Sequence, residues 1–171
     1  RPNAPRPPRL RSRRWTRWRQ PRSSGRVSHI KKSLCHCCSG GAPPLDIVVV
    51  EPGHGHDPQR QARGDSQLFA YVSVAEVQPT RPYFRDIPEP WKLARNGDWN
   101  SVVIDQTPAD WPAFFAERVV GPLWEKGYRG FFLDTLDSYR LARQFDEAAQ
   151  QAGLIRVIET LHARYPGIKL I

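Results

Sequence analysis

Short runs of β-branched and aromatic residues recur in the second part of the chain, and most of them end at an acidic residue or a turn signal. Runs of this kind are typical of strands that are buried in a parallel sheet. The pattern predicts five strands, at residues 46–51, 68–74, 101–105, 130–134 and 168–171.

Two longer segments between these runs have apolar residues at helical spacing. Residues 108–126 present one broad apolar face, although Gly121-Pro122 is expected to kink or end the helix. Residues 138–164 show the same period and end before a proline-glycine pair. Strands that alternate with helices of this length predict an α/β domain with parallel pairing. By contrast, the proline-rich residues 75–100 leave room only for short helical turns.

Charge divides the chain into two parts. Residues 1–41 hold 12 of the 26 Lys and Arg residues and no acidic residue, whereas all 17 acidic residues lie in 42–171. We therefore expect a disordered Arg/Pro-rich leader at 1–41 and a folded domain at 42–171. The favoured interpretation of the leader is a non-native extension. A nucleic-acid arm, with Trp15 and Trp18 stacking on bases, and a targeting or linker role are the alternatives.

The sequence predicts no metal site and no cofactor. Cys35, His36, Cys37 and Cys38 are adjacent, and four adjacent side chains cannot all reach one tetrahedral ion without backbone strain. His54 and His56 lie at a turn with no obvious third ligand on a strand. No apolar run approaches the roughly 18 residues of a membrane span, and no signal peptide is visible.

Acidic residues at the ends of predicted strands are the main functional signal. Glu51, Asp105 and Asp134 end three of the strands, and Glu76 lies just past the end of another. The carboxyl ends of parallel strands share one edge, so these acids are expected to converge there. A pair of carboxylates is what glycoside hydrolysis requires. The alternative is that such acids cap helices or pair with arginines in loops.

Three strings, at residues 71–76, 99–105 and 127–139, resemble glycoside hydrolase family 114, and the likeness runs from about Pro44 to Ile171. The resemblance implies a (β/α)₈ TIM barrel and endo-α-1,4-polygalactosaminidase-like cleavage of galactosamine-containing polysaccharide. It also implies a retaining mechanism with two carboxylates and no metal. Because a complete barrel needs about 250 residues, we expect an incomplete barrel with about five strands.

The resemblance places the family's catalytic aspartate at Asp134, and strand parity puts this residue on the same side as Phe132. Whether Asp134 is the nucleophile or the acid stays open. The expected substrate-binding residues, which lie in the motifs or could stack on sugar rings, are Glu76, Tyr71, Asp105, Asp137, Tyr139 and Trp99.

The family's second catalytic acid, a glutamate, is expected after the strand that begins near Ile168, and the chain ends at Ile171. We therefore expect a hydrolase fragment that is inactive as truncated. A non-catalytic sugar-binding remnant is the alternative, followed by nucleic-acid binding through the leader. The resemblance implies a periplasmic or secreted location for the intact protein and a cationic amino-sugar polymer as its partner. No Gly-x-Ser-x-Gly string is present, which argues against Ser-His-Asp catalysis.

Overall fold

The computed structural model describes residues 47–55, 57–61 and 67–171. The expectations for the leader at 1–41 and for its cysteine cluster fall outside these ranges, as does His56. In the part that is described, no helix is long and apolar enough to cross a membrane.

Strands form two separate sheets in the described part of the chain. Their bounds are β1 (Ile47–Val50), β2 (Gln67–Ser73), β3 (Glu76–Val77), β4 (Lys92–Asn96), β5 (Ser101–Ile104), β6 (Gly130–Asp134) and β7 (Lys169–Leu170). The main sheet is parallel, with strand order β1-β2-β6-β7. The smaller sheet is antiparallel, with strand order β3-β5-β4.

Helical elements lie between the parallel strands along the chain. The helical elements are α1 (Pro58–Gln61), α2 (Trp111–Phe114), a π-helix (Phe115–Val120), α3 (Gly121–Glu125) and α4 (Glu147–Arg164). Short 3₁₀ turns lie at Pro52–His54, Phe84–Asp86, Glu89–Trp91 and Ser138–Leu141. The β2-helix-β6 and β6-helix-β7 units are those of a partial α/β barrel, which confirms the predicted fold class.

The helix boundaries differ from the sequence prediction in two places. The segment predicted at 108–126 is helical from Trp111 to Glu125, and Pro122 lies in the first turn of α3, where a missing N–H group is tolerated. The helix predicted at 138–164 begins only at Glu147. Asp146 is its N-cap, and the Asp146 carboxylate accepts a hydrogen bond from the backbone N–H of Ala149 at 3.1 Å.

Alternate residues of the parallel strands face a core that the helices close. Ala70 and Val72 of β2 and Phe131 and Leu133 of β6 are buried in one cluster with apolar residues of the helices. The opposite face of the same strands carries Tyr71, Ser73, Phe132 and Asp134. One face of the sheet therefore stabilises the fold, and the other holds the polar groups that the sequence singled out.

The prediction of five parallel strands is wrong for the strand at 101–104. It pairs with β3 and β4 in antiparallel fashion, so the described residues place four strands in the parallel sheet. Residues 75–100, predicted to form only short helical turns, contain β3 and β4. All four residues of β5 are buried, and an apolar run that is buried on both faces does not show which partner it pairs with.

Helix α4 approaches the chain closely after β5. A Cβ atom added at Gly153 would lie 1.9 Å from the carbonyl oxygen of Gln106. Gln106 is itself fully buried, its amide oxygen accepts a hydrogen bond from Trp111, and its backbone N–H donates to Gln150 at 2.9 Å. A glycine in mid-helix is therefore needed for this contact, despite its low helix propensity.

We predict that Gly153→Ala destabilises the protein by about 1–3 kcal/mol, because the added methyl group displaces the buried backbone at Gln106. Helix propensity alone predicts the opposite sign, a gain of about 1 kcal/mol. Urea unfolding measures the difference. Ala152→Ser on the exposed side of α4 is the control and should change stability by less than about 0.5 kcal/mol. A higher unfolding midpoint for Gly153→Ala would contradict the prediction.

Candidate active site

Asp134 is the last residue of β6, and both of its carboxylate oxygens accept hydrogen bonds. The Tyr71 hydroxyl donates to Oδ2 at 2.7 Å, and the backbone N–H of Thr135 donates to Oδ1 at 2.8 Å. The side chain is only partly buried. A carboxylate is therefore held in a defined orientation at the carboxyl edge of the parallel sheet, where such folds place their active sites.

The register between β2 and β6 brings these groups together. Tyr71 pairs with Phe132 and Ser73 with Asp134, and the Tyr71 and Phe132 rings stack with centroids 6.2 Å apart. The backbone N–H of Val74 extends the ladder by donating to the Asp134 carbonyl at 3.0 Å. Tyr71 thus reaches Asp134 diagonally on one face of the sheet.

Tyr71 is the donor in its contact with Asp134. Burial raises the pKa of the Tyr71 hydroxyl, and the hydrogen bond to Asp134 and the negative charges of Asp134 and Glu51 raise it further. The charge of Arg81 acts weakly in the opposite direction. The phenol therefore keeps its proton at neutral pH and remains available to the carboxylate.

A charged pair lies at the end of β1. The Arg81 guanidinium donates to both oxygens of Glu51, at 2.8 and 3.0 Å, which is the bidentate geometry that Arg forms with carboxylates. Burial raises the pKa of Glu51, but the hydrogen bonds and charge of Arg81, with smaller contributions from the Gly53 backbone N–H and from His54, together lower it by more, so that the net pKa is below 4.5. Glu51 is thus an ionised partner of Arg81.

Glu76 is buried and fully engaged by neutral donors. Glu76 is only 7% exposed, and its carboxylate accepts hydrogen bonds from the side chains of Asn96, Ser101 and Ser138. These donors come from β4, from β5 and from the 3₁₀ turn that follows β6. The described contacts of Glu76 therefore join the antiparallel sheet to the loop after Asp134.

Asp105 is not at the edge where the sequence placed it. Because β5 belongs to the antiparallel sheet, the prediction that Asp105 ends a parallel strand is wrong. Its Oδ1 atom accepts hydrogen bonds from the Thr107 backbone N–H at 2.9 Å and from Gln150 Nε2 at 2.7 Å. These bonds anchor α4 to the end of β5.

The three remaining residues that the sequence singled out differ in exposure. Trp99 is 66% exposed between β4 and β5, and Asp137 is exposed before the 3₁₀ turn. Tyr139 is only 2% exposed, its hydroxyl donates to Glu147 at 3.3 Å, and its ring packs against Phe145. Trp99 and Asp137 thus present surface to solvent, whereas the Tyr139 ring lies in the interior.

Sequence reasoning missed two residues that hold carboxylates of the site, Arg81 at Glu51 and Thr135 at Asp134. Arg81 lies in the proline-rich connection, where no pattern indicates a partner for Glu51. Thr135 lies inside the motif that contains Asp134, but its role depends on a backbone conformation with φ of 65°. Within the described ranges, no group of three His, Cys, Asp or Glu side chains is placed to hold a metal ion.

Comparison with known proteins places the chain among glycoside hydrolases. Residues 38–171 match the model of the family described as Glycoside-hydrolase family GH114. A comparison with curated protein sequences gives no match.

Solved structures with the same fold are longer than this chain. The glycoside hydrolase domain of PelA from Pseudomonas aeruginosa is 32% identical, with a TM-score of 0.57 over 77% of this chain and 55% of that domain. Ega3 from Aspergillus fumigatus, in complex with galactosamine, is 16% identical, with a TM-score of 0.64 over 78% of this chain and 54% of Ega3. The chain thus spans about half the length of these two structures.

We predict that Glu51→Gln removes a pH-dependent part of the stability. The folded-state pKa of Glu51 is below its ordinary value of 4.5, so the stabilisation is present above pH 4.5 and is lost as pH falls through the folded-state pKa. The difference in unfolding free energy between wild type and variant, measured with urea, should therefore shrink below pH 4.5.

Glu117→Gln is the matched control for this prediction, because Glu117 forms an exposed ion pair with Arg164. Exposed pairs contribute little, so its effect should stay small at every pH. A pH-independent difference for Glu51→Gln would contradict the assignment of Glu51 as an ionised partner of Arg81.

Proposed function

The chain belongs to glycoside-hydrolase family GH114, and from this membership we propose that it acts on galactosamine-containing polysaccharide with Asp134 as a catalytic carboxylate. The observation that carries the proposal is the orientation of Asp134 at the carboxyl edge of the parallel sheet by Tyr71 and Thr135. The galactosamine bound to Ega3 supports the choice of substrate.

The hydrogen bonds of Asp134 favour the role of nucleophile. A proton donor must carry its proton on one carboxyl oxygen, whereas both Asp134 oxygens accept from donors. In a retaining mechanism, such a carboxylate attacks the anomeric carbon while a second carboxylic acid protonates the leaving oxygen. Water then hydrolyses the covalent intermediate, and the second group acts as the base. This mechanism uses no metal.

The charge of the site suits an amino-sugar polymer. Asp134 is partly exposed, and the exposed Asp137 lies in the turn that follows β6. An amino group that is not acetylated is cationic at neutral pH, so carboxylates near the sheet edge attract the substrate. Trp99, with 66% of its surface exposed, offers a face for a sugar ring. We extend the proposal to a periplasmic or secreted location for the protein, as the family resemblance implies.

A sugar-binding surface without turnover is the second candidate. Retaining hydrolysis needs a second carboxylic acid, and the two glutamates near the ends of β1 and β2, Glu51 and Glu76, are both engaged. Glu51 pairs with Arg81, and Glu76 accepts from three side chains. Neither is arranged as a proton donor in the part of the chain that the structure describes. Binding that is saturable but unaccompanied by cleavage would favour this candidate.

Although the sequence alone predicts inactivity, the oriented Asp134 carboxylate leads us to predict that the wild-type chain releases reducing ends from a partly de-acetylated galactosamine oligosaccharide and that Asp134→Asn lowers kcat by about 10²–10⁴-fold. The amide that this substitution introduces preserves the shape of the side chain but removes its negative charge, so binding of the oligosaccharide should change far less than kcat. Reducing-end assays and calorimetric titration measure the two quantities.

Asp110→Asn is the matched control, because it neutralises an exposed aspartate at the start of the helical segment that precedes β6. It should leave both kcat and binding unchanged. Wild-type protein that neither cleaves nor saturably binds the oligosaccharide would refute the proposed function. Equal cleavage by wild type and Asp134→Asn would refute the role of Asp134.

A further inference from the structure

Thr135 adopts a backbone conformation that its side chain disfavours. Its φ angle is 65°, in the left-handed region, and it is one of two such residues other than glycine in the described ranges. A β-branched residue is strained in this conformation, because its Cβ substituents crowd the neighbouring backbone. Strain of this kind persists only where the surrounding contacts maintain it, and it is concentrated at functional sites.

The hydroxyl of Thr135 supplies the contacts that maintain this conformation. Oγ1 lies 2.6 Å from the carbonyl oxygen of Asp134, 2.8 Å from the Ser73 hydroxyl and 3.1 Å from the backbone N–H of Ala75. The Ser73 hydroxyl also lies 2.6 Å from the carbonyl oxygen of Glu76. The hydroxyls of Thr135 and Ser73 thus provide two protons for the three contacts between oxygen atoms. The Ala75 N–H is a third donor, and it donates to Thr135 Oγ1.

These bonds connect two segments that are distant in the chain. Ser73 ends β2 and Ala75 lies in the connection to β3, whereas Thr135 directly follows β6. The turn after β6 is held as well, because the Ser138 backbone N–H donates to the Thr135 carbonyl at 3.2 Å. The position of the Thr135 backbone is therefore set by the end of the neighbouring strand and by its own turn.

The consequence for Asp134 is geometric. The backbone N–H of Thr135 donates to Asp134 Oδ1 at 2.8 Å, while Tyr71 holds Oδ2 from β2. Because the turn after β6 is held in place, a change of the Thr135 φ toward an ordinary value requires rotation of the peptide unit between Asp134 and Thr135, and this rotation would redirect the N–H away from the carboxylate. The hydroxyl that keeps the left-handed conformation thereby fixes the plane of the carboxylate.

We propose that Thr135 is a positioning residue, whose hydroxyl bonds to Ser73 and Ala75 hold a strained backbone that orients the Asp134 carboxylate for attack. The inference rests on the proposed function, because it assigns to Thr135 an effect on turnover through Asp134. It does not require Thr135 to touch the substrate. Orientation of a reacting group is worth about a hundredfold in rate for a displacement of roughly 1 Å.

Three variants separate the hydroxyl from the shape of the side chain and from the backbone strain. Thr135→Val keeps the β-branched shape and removes the hydroxyl, and it should lower kcat by about a hundredfold with KM nearly unchanged. Thr135→Ser keeps the hydroxyl and should restore kcat to within a few fold of wild type. Thr135→Gly has no steric strain at positive φ, so it should fold, but without the hydroxyl bonds its backbone is no longer confined to the left-handed conformation, and kcat should still fall.

Thr107→Val is the matched control. Thr107 is an exposed threonine whose backbone N–H donates to Asp105 at 2.9 Å, as that of Thr135 does to Asp134, but its φ is not positive. It should keep the wild-type kcat. The four variants are assayed beside wild type and Asp134→Asn on the same galactosamine oligosaccharide, and urea unfolding reports whether each one folds.

The outcomes distinguish this inference from the proposed function. One result overturns the role of Thr135 alone. In that result, the wild type cleaves and Asp134→Asn is inactive, but Thr135→Gly or a folded Thr135→Val keeps full kcat. A change in KM without a change in kcat also overturns it. A wild type with neither cleavage nor binding overturns the proposed function and the inference together. Loss of kcat in Thr135→Gly, with rescue in Thr135→Ser, supports the inference even if Thr135→Val fails to fold.

Discussion

The parallel ladder between β2 and β6 is the constraint on which the rest of the site depends. It pairs Ser73 with Asp134, and the N–H of Val74 extends it to the Asp134 carbonyl. Because side chains alternate between the faces of a strand, a slip of one residue would either turn Tyr71 into the core or turn Phe131 out of it. The burial of one face thus selects the register, and the register selects the partners of the carboxylate.

The sequence predicted the strands of the parallel sheet and the place of Asp134 at a strand end. It predicted less well which strands pair with each other and which side chains contact the acids. Runs such as residues 130–134 are apolar and end in turns, so their existence and their place in a parallel sheet follow from composition and spacing. The run at 101–104 looks the same but pairs with nearby chain in antiparallel fashion. Periodicity reports burial, and burial does not specify the neighbouring strand.

The sequence pattern also does not show which side chains the acids near the strand ends contact. Glu51, Asp105, Asp134 and Glu76 are similar in a one-dimensional pattern, yet their partners differ in the structure. Arg81 neutralises Glu51, Gln150 binds Asp105, and three neutral donors surround Glu76. Each partner lies at least 20 residues away in the chain, so local sequence carries no sign of it. The identity of Asp134 came from the motif around it, and its geometry came only from the fold.

The separation of Tyr71 from Asp134 by 63 positions has a consequence for the order in which the protein assembles. Contacts between β4 and β5 close short loops and can form as soon as that stretch is synthesised, and Glu76 then finds Asn96 and Ser101 nearby. The Tyr71 bond must await β6 and the closure of a much longer loop, which is slower. During synthesis, we therefore expect the antiparallel sheet to form before the edge that carries Asp134, and the carboxylate to be aligned only after two distant strands have docked.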